Sequence, residues 1–328
     1  TALLTQILIK AGLNPSYSVS AKTINSIPQL KITDSDWSVV EADESINGLD
    51  TKAKFLYYPT KYVILTSADW EHCDSYPKES DNLAAFRQLL ENVPKDGFLV
   101  YNPANSNIQK ILSYCSAKTI PYDFNLKFST SLIGQHNREN IIAAYTLCRQ
   151  LAISEDSIQS AIKSFKGIAR RLQIVKNVNN IIFIDDFGQS PPRVRAAINA
   201  IHQSYPSRPI KVYFEPHASF LQQRSGIKGF GHSFELASEV ILAKISFTSG
   251  ISRENRITAK DFAKEVGNKL KYIPLTYQVP AHYYQSLQSG DVLIHFSSGG
   301  LAGLKTFKNI ARRFSNLSPK LCPDILSP

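Results

Sequence analysis

Methionine is absent from all 328 residues, and the four cysteines (Cys73, Cys115, Cys148 and Cys322) stand far apart with no C-x-x-C pair. Such spacing excludes a disulfide framework and a structural zinc site, and suits the reducing cytoplasm. No apolar run approaches the roughly 20 residues of a membrane span. Internal repeats and low-complexity tracts are missing too. No strand leads into G-x-G-x-x-G, which argues against a Rossmann-type oxidoreductase. Charge is not balanced: 37 Lys and Arg against 27 Asp and Glu leave +10, which favours anionic partners such as nucleotides or phosphorylated metabolites. That excess is spread thinly, without the basic patch and stacking aromatics that nucleic-acid binding needs, so no nucleic-acid partner is expected. With 43% apolar and 20% charged residues the chain is neither disordered nor fibrous, and its length suits about two domains.

What is present is alternation. WSVVEAD, KYVILTSAD and GFLVYN read as strands, and NLAAFRQLLENV places Leu83, Phe86, Leu89 and Leu90 on one helical face. Residues 132–166 read as two helical pieces broken near Ser154, an N-cap followed by Glu155 and Asp156. After KGIARRLQ the rhythm becomes regular. NIIFIDDF, IKVYFEPH, EVILAKISF and DVLIHFSSG are strands separated by helical stretches such as RVRAAINAIHQSY and AKDFAKEVGNKL. The pattern predicts an α/β protein with mostly parallel sheets covered on both faces, and a boundary near 168–172. The opening TALLTQILIKAGL carries Leu4, Leu8 and Ala11 at helical spacing and reads as a core helix entered midway, not a signal peptide.

Polar groups gather where strands end, which is where open α/β sheets bind ligands. Glu41, Asp43 and Glu44 follow one strand; Asp69, Glu71, His72 and Asp74 follow another; Asp185 and Asp186 follow a third. Carboxylates and an imidazole so placed suit Mg²⁺ shared with nucleotide phosphates, although acidic residues also simply cap strands and open loops. His136, Asn137 and Asn140 open a helix, as base or phosphate contacts or as caps. The Arg170-Arg171 pair offers bidentate donors to a phosphate. FSSGG at 296–300 suits either an anion at a helix N-terminus or a tight turn, and His217 lies just past a strand.

In order along the chain, EADE, ADWEHCD, G-x-HN-x-x-N, F-x-G-x-x-RR, DDF and FEPH resemble the motifs of the Mur ligase family, ATP-dependent enzymes that join amino acids or peptides to a UDP-linked muramic acid. The resemblance implies a central ATP-binding domain over residues 1–170, truncated at its start, and a Rossmann-like C-terminal domain over 171–328. It implies Mg²⁺ at Glu41 and His72, adenine near His136, Asn137 and Asn140, phosphates near Arg171, and ribose and hinge near Asp186. Glu41, His72 and Arg171 would serve catalysis, in which a carboxylate takes the γ-phosphate of ATP and an amine then displaces phosphate. DTKAKFLYYP, DDF, FEPH and FSSGGLAGLK look like the branch that attaches L-alanyl-γ-D-glutamyl-meso-diaminopimelate to UDP-N-acetylmuramate. The branch that adds L-alanine is the alternative. His217, Arg224, Ser298 and Gly299 are then the expected contacts for the amine substrate. Three features depart from the pattern. The UDP-sugar domain and the G-x-x-GKT phosphate loop do not appear, Thr1–Gly12 resembling the helix that follows that loop. This stretch alone is therefore expected not to transfer phosphate from ATP, and a non-catalytic ligase-like binding protein is a further alternative. Thirdly, Gly188-Gln189-Ser190 stands where the family has a histidine pair, with Pro191 kept.

Overall fold

A computed structural model describes residues 1–316 except 26, 71–75, 218, 223, 246, 248–253, 255 and 300. The chain forms two compact units, Thr1–Ile168 and the residues from Ala169 onward.

The first unit opens with α1 (Ala2–Lys10), which buries Leu3, Ile7 and Leu8. Three short strands follow, β1 (Ser16–Ser18), β2 (Leu30–Lys31) and β3 (Ser38–Val40). They form a small sheet in the order β2-β1-β3, with β1 antiparallel to β2 and parallel to β3. Next come β4 (Tyr62–Leu65), α2 (Glu79–Glu91), β5 (Phe98–Tyr101), α3 (Ser106–Ile111) and β6 (Lys118–Pro121). The three strands make a separate parallel sheet, β4-β5-β6. The mostly parallel sheet expected for this half is thus two small sheets.

Helices α4 (Gln135–Gln150) and α5 (Glu155–Ser164) complete the unit. The break between them falls at Ser154, whose hydroxyl accepts the Ser157 N–H and caps α5. Gln6 of α1 donates to the Ala161 carbonyl at 2.9 Å, tying the first helix to the last. Ile7, Leu8, Ile142, Leu147, Ile158 and Ile162 share one apolar cluster, and Phe55, Phe86, Leu90 and Leu99 belong to a second.

The second unit is one six-stranded sheet. Its elements are β7 (Gln173–Val178), β8 (Ile181–Asp186), α6 (Pro191–Ser204), β9 (Ile210–Glu215), α7 (Phe230–Ser233), β10 (Ala237–Leu242), α8 (Ala259–Val266), β11 (Leu270–Tyr272), α9 (Val279–Ser286), β12 (Val292–Ser297) and α10 (Leu301–Asn316). Strand order is β11-β10-β9-β12-β8-β7, all parallel except the edge pair β7–β8. That pair is a hairpin turned by Asn179 and Asn180 at φ 49° and 58°, the left-handed conformation that two-residue hairpins require and asparagine tolerates. Strands β8, β9 and β12 are buried along nearly their whole length, as a sheet covered on both faces demands.

Candidate functional site

Three neighbouring strands of the second unit, β9, β12 and β8, carry ionisable groups into the buried interior. Register sets His295 of β12 directly opposite Asp185 of β8 on one side and Tyr213 of β9 on the other. His295 is fully buried, with Nδ1 2.8 Å from Asp185 Oδ1 and Nε2 2.9 Å from Glu215 Oε2. The Tyr213 hydroxyl donates to Glu215 Oε1 at 2.9 Å. Two carboxylates facing both ring nitrogens call for two N–H donors, which only the imidazolium has. Burial alone would push the His295 pKa down; the bonds to Asp185 and Glu215 outweigh it and leave it raised. Burial likewise opposes ionisation of Glu215, yet His217, His295 and Tyr213 hold its carboxyl well below the usual range. The ring lies between Tyr213 and Phe307 at centroid distances of 4.9 and 5.1 Å, aromatic faces that favour a cation.

Arg170 completes the charge balance. Its Nε lies 3.3 Å from Asp185 Oδ2, its guanidinium donates to the Ser297 and Gly299 carbonyls, and it sits over the Phe187 ring. Two carboxylates thus meet two cations. The glycines of FSSGGLAGLK belong to the same packing. A methyl group at Gly299 would overlap the His217 ring, and one at Gly303 would overlap the Glu215 carboxylate. The first turn of α10 therefore faces a carboxylate of the chain itself, Glu215, with a helix dipole that favours it.

His217, Ser298 and Gly299 are brought together at these strand ends. His217 is about one-third exposed (side chain 35%), with Nε2 3.7 Å from Glu215 Oε2. The N–H of Gly299, read as a donor for a ligand, points instead to the Ser297 hydroxyl at 3.3 Å. Arg224 opens a short turn of 3₁₀ helix, Arg224–Ile227; its side chain lies outside what is described. Asp186 is buried at the end of β8, where its carboxylate accepts the N–H of Leu172 and of Gly188, each at 2.7 Å. Leu172 and Arg170 both have positive φ, 44° and 61°, so Asp186 pins a strained stretch at the start of this unit. Burial raises its pKa despite those donors and the nearby Arg171. Arg171 itself is exposed.

In the first unit, Glu41 follows β3 and is exposed, with Oε2 accepting the Ser20 N–H at 3.2 Å. Its neighbour Asp43 is committed elsewhere: although burial opposes ionisation, Ser45 and Lys54, the latter at 2.8 Å, hold its carboxyl down to about 2. His72 lies outside the described residues. The loop leading to it is braced by three asparagines. Asn82 and Asn107 each donate to the Ala68 carbonyl at 3.3 Å, and Asn105 donates to Asp69 Oδ1 at 2.9 Å. His136 and Asn140 are exposed in the first turns of α4, and Asn137 turns back to the Ile133 carbonyl at 2.8 Å. Among the described residues no group of three or more His, Cys, Asp or Glu side chains could hold a metal, and no helix is long and apolar enough to cross a membrane.

Sequence reasoning passed over His295, Glu215 and Gln222; it named Arg170 as a phosphate donor and Gln189 only as a departure from the family pattern. The signal for the first two was there: VLIHFS and VYFE each place one ionisable residue in an apolar run next to IIFIDD. Nothing in the Arg170-Arg171 dipeptide tells which arginine turns inward.

Strand order and burial define an α/β unit built on a six-stranded, mostly parallel sheet whose strand ends carry the site. Residues 170–299 match the family model described as Mur ligase, glutamate ligase domain. The chain is similar in fold to UDP-N-acetylmuramate-alanine ligase from Thermotoga maritima, with a TM-score of 0.72 at 17% identity over 96% of this chain and 72% of that one. It shares that fold with a murein peptide ligase from Psychrobacter arcticus, with a TM-score of 0.61 at 17% identity over 96% and 75%. A Thermotoga maritima MurF ligase in complex with ADP gives a TM-score of 0.69 at 12% identity over 95% and 77%. In sequence, the chain is 25% identical over 340 aligned positions to the UDP-N-acetylmuramate–L-alanine ligase of Acidithiobacillus ferrooxidans, covering 93% of this chain and 72% of that protein. The corresponding enzyme of Agathobacter rectalis is also 25% identical, over 92% and 71%. Together these comparisons support the Mur ligase family for this chain.

Proposed function

We propose that the chain supplies the nucleotide-handling and amine-handling parts of an ATP-dependent carbon–nitrogen ligase of peptidoglycan synthesis and recycling in the cytoplasm. UDP-N-acetylmuramate is the acceptor, and the murein tripeptide L-alanyl-γ-D-glutamyl-meso-diaminopimelate is the amine. The observation that carries this reading is the seating of His217 on Gly299 above the Glu215–His295 network, at strand ends where the sheet opens to ligands. ATP would supply the phosphoryl group that activates a carboxylate for attack by the amine. Glu41 fits Mg²⁺ as an exposed hard oxygen donor, with His72 as its expected partner. His136, Asn137 and Asn140 are the proposed contacts for adenine, Arg171 for the phosphates and Asp186 for the ribose.

On this reading His217, Ser298 and Arg224 bind and orient the amine substrate, whose carboxylates need cationic or N–H donors, and Gly299 leaves room for the His217 ring. Arg224→Ala in the full-length protein is expected to raise KM for the amine more than it lowers kcat, since the contact is ground-state binding. Steady-state kinetics check this, and a fall in kcat at unchanged KM refutes it. L-Alanine as the amine is the second reading, favoured by the relatives just described. The two are separated by ADP release from full-length protein given ATP, UDP-N-acetylmuramate and each amine in turn. Turnover with the tripeptide alone supports the first reading, and equal or better turnover with L-alanine replaces it by the second. No turnover with either leaves a ligase-like binding protein.

A further inference from the structure

We propose that Gln189 and Gln222 are positioning residues that hold His217 ready for the incoming amine, an inference that rests on the ligase reading above. The turn after β9 has no strand ladder to fix it, yet both backbone polar groups of His217 are taken by side-chain amides. Gln189 Oε1 accepts the His217 N–H at 3.0 Å, and Gln222 Nε2 donates to the His217 carbonyl at 3.3 Å. Both glutamines are buried, 5% and 1% exposed. They come from different places: Gln189 from the turn after β8, and Gln222 from the end of the 3₁₀ turn Ser219–Gln222. Gln189 Nε2 donates to the Gly188 carbonyl at 3.2 Å, which settles which end of its amide faces His217.

Burying a flexible polar side chain costs both rotamer entropy and desolvation. A turn that needed only filling would be served by leucine or methionine. Two buried amides aimed at the two polar groups of one residue specify where that backbone sits. The ring is held separately, by the absence of a side chain at Gly299 and by Glu215 at 3.7 Å. His217 is thereby fixed at backbone and ring, with about a third of its side chain exposed at the strand ends. A histidine so held presents one fixed geometry to the incoming amine, and loosening it adds an ordering cost to amine binding. Gln189 does not titrate, so this hold on His217 is independent of pH.

Gln189→Met keeps length and volume and removes both polar atoms. Two readouts test it. Amide hydrogen exchange at His217, followed by NMR in this chain, is expected to quicken by roughly tenfold or more while the amides of β8 and β9 keep their protection. In the full-length protein, KM for whichever amine is ligated should rise about fivefold or more, with KM for ATP and kcat nearly unchanged. Unchanged exchange at His217 overturns the clamp. Faster exchange with unchanged amine KM, in a background of active wild type, overturns the positioning role alone. Wild type inactive with either amine overturns the ligase reading and the positioning role with it. Should Gln189→Met not fold, Gln222→Met, which frees the His217 carbonyl, carries the kinetic readout: a raised amine KM supports the clamp and an unchanged one overturns it.

Discussion

At the scale of single residues, the second unit is organised around a buried cation, His295, set in the apolar run VLIHFS. His295 stabilises the fold only while charged, because Asp185 and Glu215 each accept a hydrogen bond from one of its ring N–H groups. Its pKa is raised above the ordinary 6.5, so its contribution is complete below about pH 6.5 and is lost as pH rises through the folded value. Glu215 is depressed below the ordinary 4.5, so its contribution is complete above about pH 4.5 and is lost as pH falls through the folded value. Stability of this unit is therefore expected to be highest between these limits and to decline on both sides. His295→Gln, which leaves two buried carboxylates without their cation, should cost about 3–5 kcal/mol near pH 6 and abolish the alkaline decline. Urea unfolding of both proteins from pH 4 to 9 measures this. A variant that keeps the alkaline decline would show that another group causes it.

Among elements, legibility followed length and burial. The runs that became β8, β9 and β12 are six residues each, mostly apolar and almost wholly buried, so both their existence and their parallel packing could be read directly. Strand β7 was missed: it alternates half-buried with exposed positions and carries Gln173, Lys176 and Asn177, an edge strand that looks like a loop. Strands β1, β2 and β11 have only two or three residues, too few for a period to show. The site was legible where chemistry sits in contiguous motifs, as in FEPH and FSSGG. It was hidden where partners are distant, as with Gln189 and Gln222. Asn105 illustrates the same limit in the first unit. It caps α3 by accepting the Ile108 N–H at 3.0 Å while donating to Asp69 at 2.9 Å, 36 residues away. Asn105→Ala is expected to cost about 1–2 kcal/mol in urea unfolding, the upper end of a lost cap because the Asp69 bond goes with it. Asn105→Ser, which keeps the cap, should recover about half. Equal losses for both variants would assign the whole effect to Asp69.

For the whole molecule, the question is whether the two units are also two folding units. Each has apolar clusters drawn from its own elements: Ile7, Ile142 and Ile158 in the first, and Phe183, Phe307 and Phe314 in the second. Each also has its own sheets, since among the described residues the strand pairings lie inside one unit or the other. Domains of about 160 residues with their own cores ordinarily unfold as separate cooperative transitions. Two transitions are therefore expected in calorimetry. Phe307→Ala removes a fully buried ring and should cost about 3–5 kcal/mol, lowering one transition by roughly 10 °C. Ile142→Ala, equally buried in the first unit, should cost about 2–5 kcal/mol and lower the other. The pairing of variant with transition is the test. One transition shifted alike by both substitutions would mean that the chain unfolds as a single cooperative body, and the boundary near residue 168 would then mark a change of architecture without a break in cooperativity.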